Sequence, residues 1–256
     1  LDKFNFAVVD DHKHSRGHAI ISGGDDMPGA ACLASAAARR VGAGLVSIAA
    51  NMVAKSIYLS SHPGTMFRGL DKTLDFKTVI SEPRWSALLI GPGSGLTSDI
   101  KSRTIVGLRS RKSAVLDADA LTLFKDNPFS LFKWIKGPVV LTPHKGEFLR
   151  LFNFTGNKIN DTRSASKESG AVVVFKGADT IIAAPDGRIA ININSPPTLA
   201  TAGSGDVLSG LITGLLATGM PAYEAACAGN WIHGQAALHF GHGLIAEDII
   251  DGVPGV

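Results

Sequence analysis

Short apolar runs separated by stretches of helical period divide this chain into alternating strands and helices. Ala19-Ile20-Ile21, stopped by Ser22-Gly23-Gly24, reads as a buried strand ending in a glycine turn. An alanine-rich helix is expected over 30–41, closed by Gly42-Ala43-Gly44. Further strands are expected at 45–49, 87–90, 114–116, 139–141 and 171–175, each leading into a polar or glycine-bearing loop. Ile181-Ile182-Ala183-Ala184 and residues 188–193 flank Pro185-Asp186-Gly187 and read as a hairpin. Residues 60–77 carry no pattern that places an element. Beyond Asp206, Val207, Leu208, Leu211, Ile212, Leu215 and Leu216 recur at helical spacing, with Gly210 and Gly214 four apart for close packing. A later helical stretch contains 225–239. Helices interleaved with strands imply a mainly parallel sheet, to which the late hairpin adds antiparallel pairing. The expected fold is α/β, one domain over 1–256, with no repeat or linker dividing it.

Composition narrows the function classes. The net charge of +3 is slight and no basic run stands out, so neither nucleic acid nor a membrane is an expected partner. No apolar run reaches membrane-spanning length without a break, and the expected location is the cytoplasm. Cys32 and Cys227 lack the spacing of a metal knuckle or redox pair, so no protein metal site is expected. The polar stretch 1–16, with His12, Lys13 and His14, reads as a basic loop rather than a metal cluster. The chain begins with Leu, which leaves room for an upstream domain.

The candidate chemistry centres on residues 200–208, a small-residue loop running into the apolar helix. Gly203 and Gly205 let the backbone turn so that N–H groups of Gly203, Ser204 and Gly205 converge as an anion hole at a helix N-terminus. Asp206 there suits a general base for a hydroxyl that attacks a phosphate. The bland alternative makes Asp206 a helix N-cap beside a tight turn. Other loops fall at strand ends: Gly91-Pro92-Gly93-Ser94-Gly95, Asp117-Ala118-Asp119, and Thr142-Pro143-His144-Lys145-Gly146-Glu147. Asp117 and Asp119 suit either Mg²⁺ approached through water or helix capping. His144, held by Pro143, suits either substrate binding or a structural role. Ligands in open α/β sheets gather at such carboxyl ends.

In order and spacing these loops resemble the NAD(P)H-hydrate dehydratase family, a branch of the ribokinase-like three-layer α/β/α fold. The likeness runs from His12-Lys13 and Gly29-Ala30 through Gly91-Pro92-Gly93, Leu116-Asp117-Ala118-Asp119, Leu141-Thr142-Pro143-His144 with Glu147, and Lys176-Gly177-Ala178 with Thr180, to residues 200–208. It implies contacts to a hydrated nicotinamide nucleotide from Ala30, Gly93, His144 and Asp206, with Asp206 as catalytic base. It implies contacts to an adenine nucleotide from Lys176, Gly177, Ala178, Asp179, Thr180 and Gly205. Two departures stand out: Pro28 replaces a small hydroxylated residue, and Ser195-Pro196-Pro197 replaces a glycine-containing turn. The implied reaction regenerates NADH or NADPH from the hydrate using ADP or ATP with Mg²⁺. The resemblance also implies a homotetramer and, in bifunctional members, an upstream epimerase domain. A vitamin-precursor kinase of the same fold and a non-catalytic nucleotide sensor are the competing readings.

Overall fold

The computed structural model describes residues 13–71 and 73–256; the polar stretch through His12 lies outside them. In chain order the elements are β1 (His18–Ser22), α1 (Pro28–Arg40), β2 (Leu45–Asn51), α2 (Lys55–Ser61), β3 (Met66–Leu70), α3 (Thr73–Ser81), β4 (Ala87–Ile90) and α4 (Ser98–Arg109). They continue with β5 (Ser113–Leu116), α5 (Asp119–Thr122), α6 (Phe129–Phe132), β6 (Val139–Leu141), α7 (Lys145–Leu151), α8 (Lys158–Ser169) and β7 (Val172–Phe175). The last are β8 (Thr180–Ala183), β9 (Ile189–Asn192), α9 (Ser204–Ala217), α10 (Ala222–Phe240) and α11 (Ala246–Gly252).

Among the described residues the strands form one nine-stranded sheet in the order β3-β2-β1-β4-β5-β6-β7-β8-β9. Pairing is parallel from β3 through β7 and antiparallel for the β7-β8-β9 meander. Alternate side chains leave the sheet on opposite faces. Ala19 and Ile21 join one core with α1, α9, α10 and α11, whereas Ile20 joins another built from α3 to α8. The result is the expected three-layer α/β/α arrangement.

The stretch 60–77 holds the end of α2, β3 and the start of α3. The edge strand β3 buries only Leu70 well, so no apolar run marks it. The glycine spacing in α9 meets its expected purpose. A Cβ on Gly210 would strike the Ala34 backbone, and one on Gly214 the Ala38 backbone, so α1 and α9 pack main chain to main chain. Helix α9 is buried along nearly its whole length, which holds its N-terminus firmly against the sheet's carboxyl edge.

The chain's direction reverses across the sheet between β1 and β4, where sequential growth toward β3 gives way to growth toward β9. Such a reversal opens a crevice beyond the strand ends. The loops after β1, β4, β5, β6 and β7 all emerge on that edge.

Candidate functional site

Backbone hydrogen bonds stitch these loops side by side. Asp117 N donates to Ile90 O (3.1 Å), Thr142 N to Leu116 O (3.1 Å) and Lys176 N to Pro143 O (2.9 Å). Phe148 on α7 stacks on Phe175 at the end of β7 with centroids 4.1 Å apart, fixing the His144 loop against Lys176.

Helix α9 starts at Ser204, with Gly203 as N-cap in the left-handed region (φ 84°). A Cβ there would crowd Leu33 of α1 and Ala246. Asp206 is thus the third residue of the helix rather than its cap, and Gly203 offers no side chain to cap it. The Asp206 carboxyl is pushed up to about 6 by burial, with Asp117 and Asp119 adding to the shift and Lys176 opposing it. A carboxylate in that range is poised to take a proton near neutral pH.

Asp117 is 2% exposed and pairs with Lys176, whose Nζ lies 2.8 Å from Oδ1. Burial alone would depress the Lys176 ammonium, but Asp117, Glu147 and Asp206 reverse the balance and raise its pKa above the ordinary value. Asp119 accepts from the amide of Gly95 (2.8 Å), tying the α5 end to the glycine loop after β4. Neither carboxylate caps α5. Its N-cap is Ala118, held at φ 47°, ψ −117°, where side-chain-bearing residues rarely sit.

His144 caps α7: Nδ1 accepts from Gly146 N (2.9 Å) and Glu147 N (3.3 Å), while Glu147 Oε2 accepts from His144 N (2.9 Å). Because Nδ1 accepts, the neutral ring carries its proton on Nε2, and its side chain is 56% exposed toward the crevice. Glu147 is nearly buried, and burial together with Asp117 raises its pKa.

Ala30 and Gly93 meet directly. A Cβ on Gly93, which sits at φ 58°, would run into Met27 O and the Ala30 side chain. A pocket of about 510 Å³ is lined by His144, Lys176, Gly177, Ala178, Thr180 and Gly205 from the expected set; Ala30, Gly93 and Asp206 are not among its lining residues. Thr180 Oγ1 donates to Gly177 O (2.9 Å) and closes the loop between them. Asp179 turns elsewhere and pairs with Lys158 at 2.6 Å. The Ser204 amide donates to Thr201 O (3.4 Å), and its Oγ lies 3.1 Å from His233 Nε2.

Sequence reasoning missed the far wall of this pocket. Pro196, Pro197 and Leu199, together with Asn230 and His233 of α10, also line it. The available signal was Asn230 and His233 three apart on one face of an apolar helix. Among the described residues no group of three or more His, Cys, Asp or Glu is arranged to hold a metal ion by itself.

Residues 18–246 match the family model described as NAD(P)H-hydrate dehydratase. The chain is 36% identical over 246 residues to the ADP-dependent (S)-NAD(P)H-hydrate dehydratase of Neisseria meningitidis, covering 91% of this chain and 80% of that protein. It is 39% identical over 238 residues to the bifunctional NAD(P)H-hydrate repair enzyme of Thermosynechococcus vestitus, covering 89% of this chain but only 46% of that protein. The chain therefore spans about half the length of such bifunctional relatives. Among solved structures it resembles the ADP/ATP-dependent NAD(P)H-hydrate dehydratase of Bacillus subtilis co-crystallized with ATP/Mg²⁺ (TM-score 0.83, 28% identity, 98% of this chain and 92% of that one). The same architecture recurs in a ribokinase-like superfamily protein of Enterococcus faecalis (TM-score 0.88, 25% identity, 98% of this chain and 90% of that one).

Proposed function

The chain belongs to the NAD(P)H-hydrate dehydratase family, and on that premise we propose that it restores NADH and NADPH from their (S)-hydrates with ADP or ATP as phosphoryl donor. The observation that carries this reading is Asp206, a partly buried carboxylate in the first turn of α9, near Asp117 and Lys176 and next in sequence to Gly205, which lines the pocket of about 510 Å³.

Asp206 accepts the proton of the ring hydroxyl while the hydroxyl oxygen bonds to the terminal phosphorus of the nucleotide. The bond from that phosphorus to the bridging oxygen breaks, and the shortened nucleotide departs. Amides of Gly203, Ser204 and Gly205, with the helix dipole, stabilise charge on the transferring group. The ring nitrogen lone pair then expels phosphate, a proton leaves the adjacent ring carbon, and the reduced nicotinamide is regained. His144, half-exposed at the pocket with Nε2 3.4 Å from Glu147 Oε1, orients the hydrated ring or its phosphates.

Asp117, Glu147 and Asp206 stand around Lys176, with Asp119 acting on Asp206, so carboxylates outnumber the ammonium at the floor of the site. That donor set fits Mg²⁺ between the floor and the nucleotide phosphates, where it would offset phosphate charge. Asp119 and Glu147 would hold it through water, because Asp117 is committed to Lys176.

We propose further that the protein acts in the cytoplasm as a homotetramer, and that an epimerase works beside it as in the bifunctional relatives. No described helix is long and apolar enough to cross a membrane. Met52, Val53, Ile57 and Leu59, at and just before α2, are exposed apolar side chains that such an assembly would help to cover.

The test mixes the protein with hydrated NADH, Mg²⁺ and ADP or ATP, following the absorbance of reduced nicotinamide and the release of phosphate. Nucleotide-dependent recovery of both signals is expected. A stable phosphate ester without recovered absorbance would instead mark a small-molecule kinase.

A further inference from the structure

Two pocket-wall side chains on α10 remain outside the reaction described above. Asn230 and His233, three residues apart on one helix face, are 3% and 7% exposed and both line the pocket assigned to the nucleotide.

The hydrogen bonds around each residue fix what it offers. Asn230 Nδ2 donates to the carbonyl of Ala226, one turn earlier (2.8 Å). A carbonyl can only accept, so the amide orientation is set and Oδ1 is the group left over. His233 Nε2 lies 3.0 Å from the carbonyl of Ser204. That contact places the ring proton on Nε2 and leaves Nδ1 as a bare acceptor. Burial pushes His233 down to about 4, so the ring stays neutral at working pH and Nδ1 remains unprotonated. Among the described residues neither Oδ1 of Asn230 nor Nδ1 of His233 has a protein hydrogen-bond partner. The surroundings at this end are apolar, with Leu199, Ala200 and Leu208 on the wall. A purine fits such a wall, and a pair of acceptors within it calls for a ligand group carrying N–H donors.

We propose that Asn230 Oδ1 and His233 Nδ1 read the exocyclic amine of the donor nucleotide's base, selecting adenine over a purine that bears a carbonyl at that position. This rests on the assignment of the pocket to the phosphoryl donor. An amine supplies two N–H donors to two waiting acceptors, whereas a carbonyl would face them lone pair to lone pair and leave all three groups unsatisfied. The pair thus sets base selectivity and takes no part in proton transfer.

Isothermal titration of the purified chain with ADP, IDP and 2′-deoxy-ADP, each with Mg²⁺, tests it. ADP should bind about 10- to 100-fold more tightly than IDP, the range expected when buried acceptors lose their donor. 2′-Deoxy-ADP should stay close to ADP. Asn230→Ala should weaken ADP several-fold while leaving IDP nearly unchanged, narrowing the ratio; a merely structural role would weaken both alike. Equal affinity of the wild type for ADP and IDP would overturn the inference, as would an unchanged ratio in Asn230→Ala or a large loss confined to 2′-deoxy-ADP. Gly205→Leu, which projects a side chain into the pocket, separates the two levels. ADP binding undisturbed by that change would remove the pocket assignment itself, whereas ADP binding lost with it, but without base discrimination in the wild type, overturns only the reading of Asn230 and His233.

Discussion

Lys176 Nζ donates to Asp117 Oδ1 across 2.8 Å, joining the end of β7 to the end of β5 across the intervening strand β6. Asp117 is almost sealed from solvent, so removing the ammonium strands a buried carboxylate. Lys176→Met should destabilise the fold by about 3–5 kcal/mol. The double variant with Asp117→Leu should recover a large part of that loss. Urea unfolding of the wild type, both single variants and the double variant measures the coupling; strict additivity would show the pair to be energetically idle.

Asp206→Asn should reduce turnover by ~10²–10⁴ with nucleotide affinity retained. Stability should move the other way. The folded pKa of about 6 lies above the ordinary aspartate value of 3.8, so Asp206 favours the folded state only while protonated. That contribution is lost as pH rises from about 4 through about 6. At neutral pH the asparagine variant should therefore melt a few degrees higher than wild type, and this gain should vanish near pH 4. Thermal scans at the two pH values decide it.

The same carboxylate sets the acid limb of the activity profile. A base acts only when ionised, so kcat/KM of the wild type should climb as pH passes through about 6 and level off above it. A rate profile flat from pH 5 to 8 would contradict the role of Asp206 as base.

Ala118 holds a backbone conformation at φ 47° that glycine adopts without strain. Replacing it relieves about 1–3 kcal/mol of strain and adds about 0.5–1 kcal/mol of unfolded-chain entropy. Ala118→Gly should therefore stabilise the protein by about 1 kcal/mol, and Ala118→Val should destabilise it. Denaturation midpoints of the three proteins check the order.

Gly210→Ala tests how strongly the α1–α9 contact governs the site. The added methyl meets the Ala34 backbone, which cannot swing aside as a side chain would. A loss of about 1–3 kcal/mol is expected. Turnover should fall as well, because the shifted helix carries Asp206, and a crystal structure of the variant should show α9 displaced.

The sequence made the central strands and α9 legible because their apolar runs are dense and their glycines are spaced for a purpose. It also brought forward the residues that surround the pocket from the β6, β7 and α9 loops, since those loops carry dense polar and glycine signals. Residues 60–77 were not legible because β3 lies at the edge and shows no continuous apolar face. The Asp117–Lys176 pair joins positions 59 residues apart, and no local period encodes such a partnership. Asn230 and His233 were hidden for another reason: they are two of several polar residues in α10, and their purpose depends on which pocket the helix lines.

The Ala30–Gly93 contact is built from the first hundred residues, whereas the pocket is lined by residues from His144 through His233. During synthesis the segments bearing Ala30 and Gly93 leave the ribosome long before this pocket can form, since α10 supplies Asn230 and His233 to its lining. A chain that has emerged only through β4 therefore holds the Ala30–Gly93 contact and none of the pocket, which is complete only once α10 lies against α9.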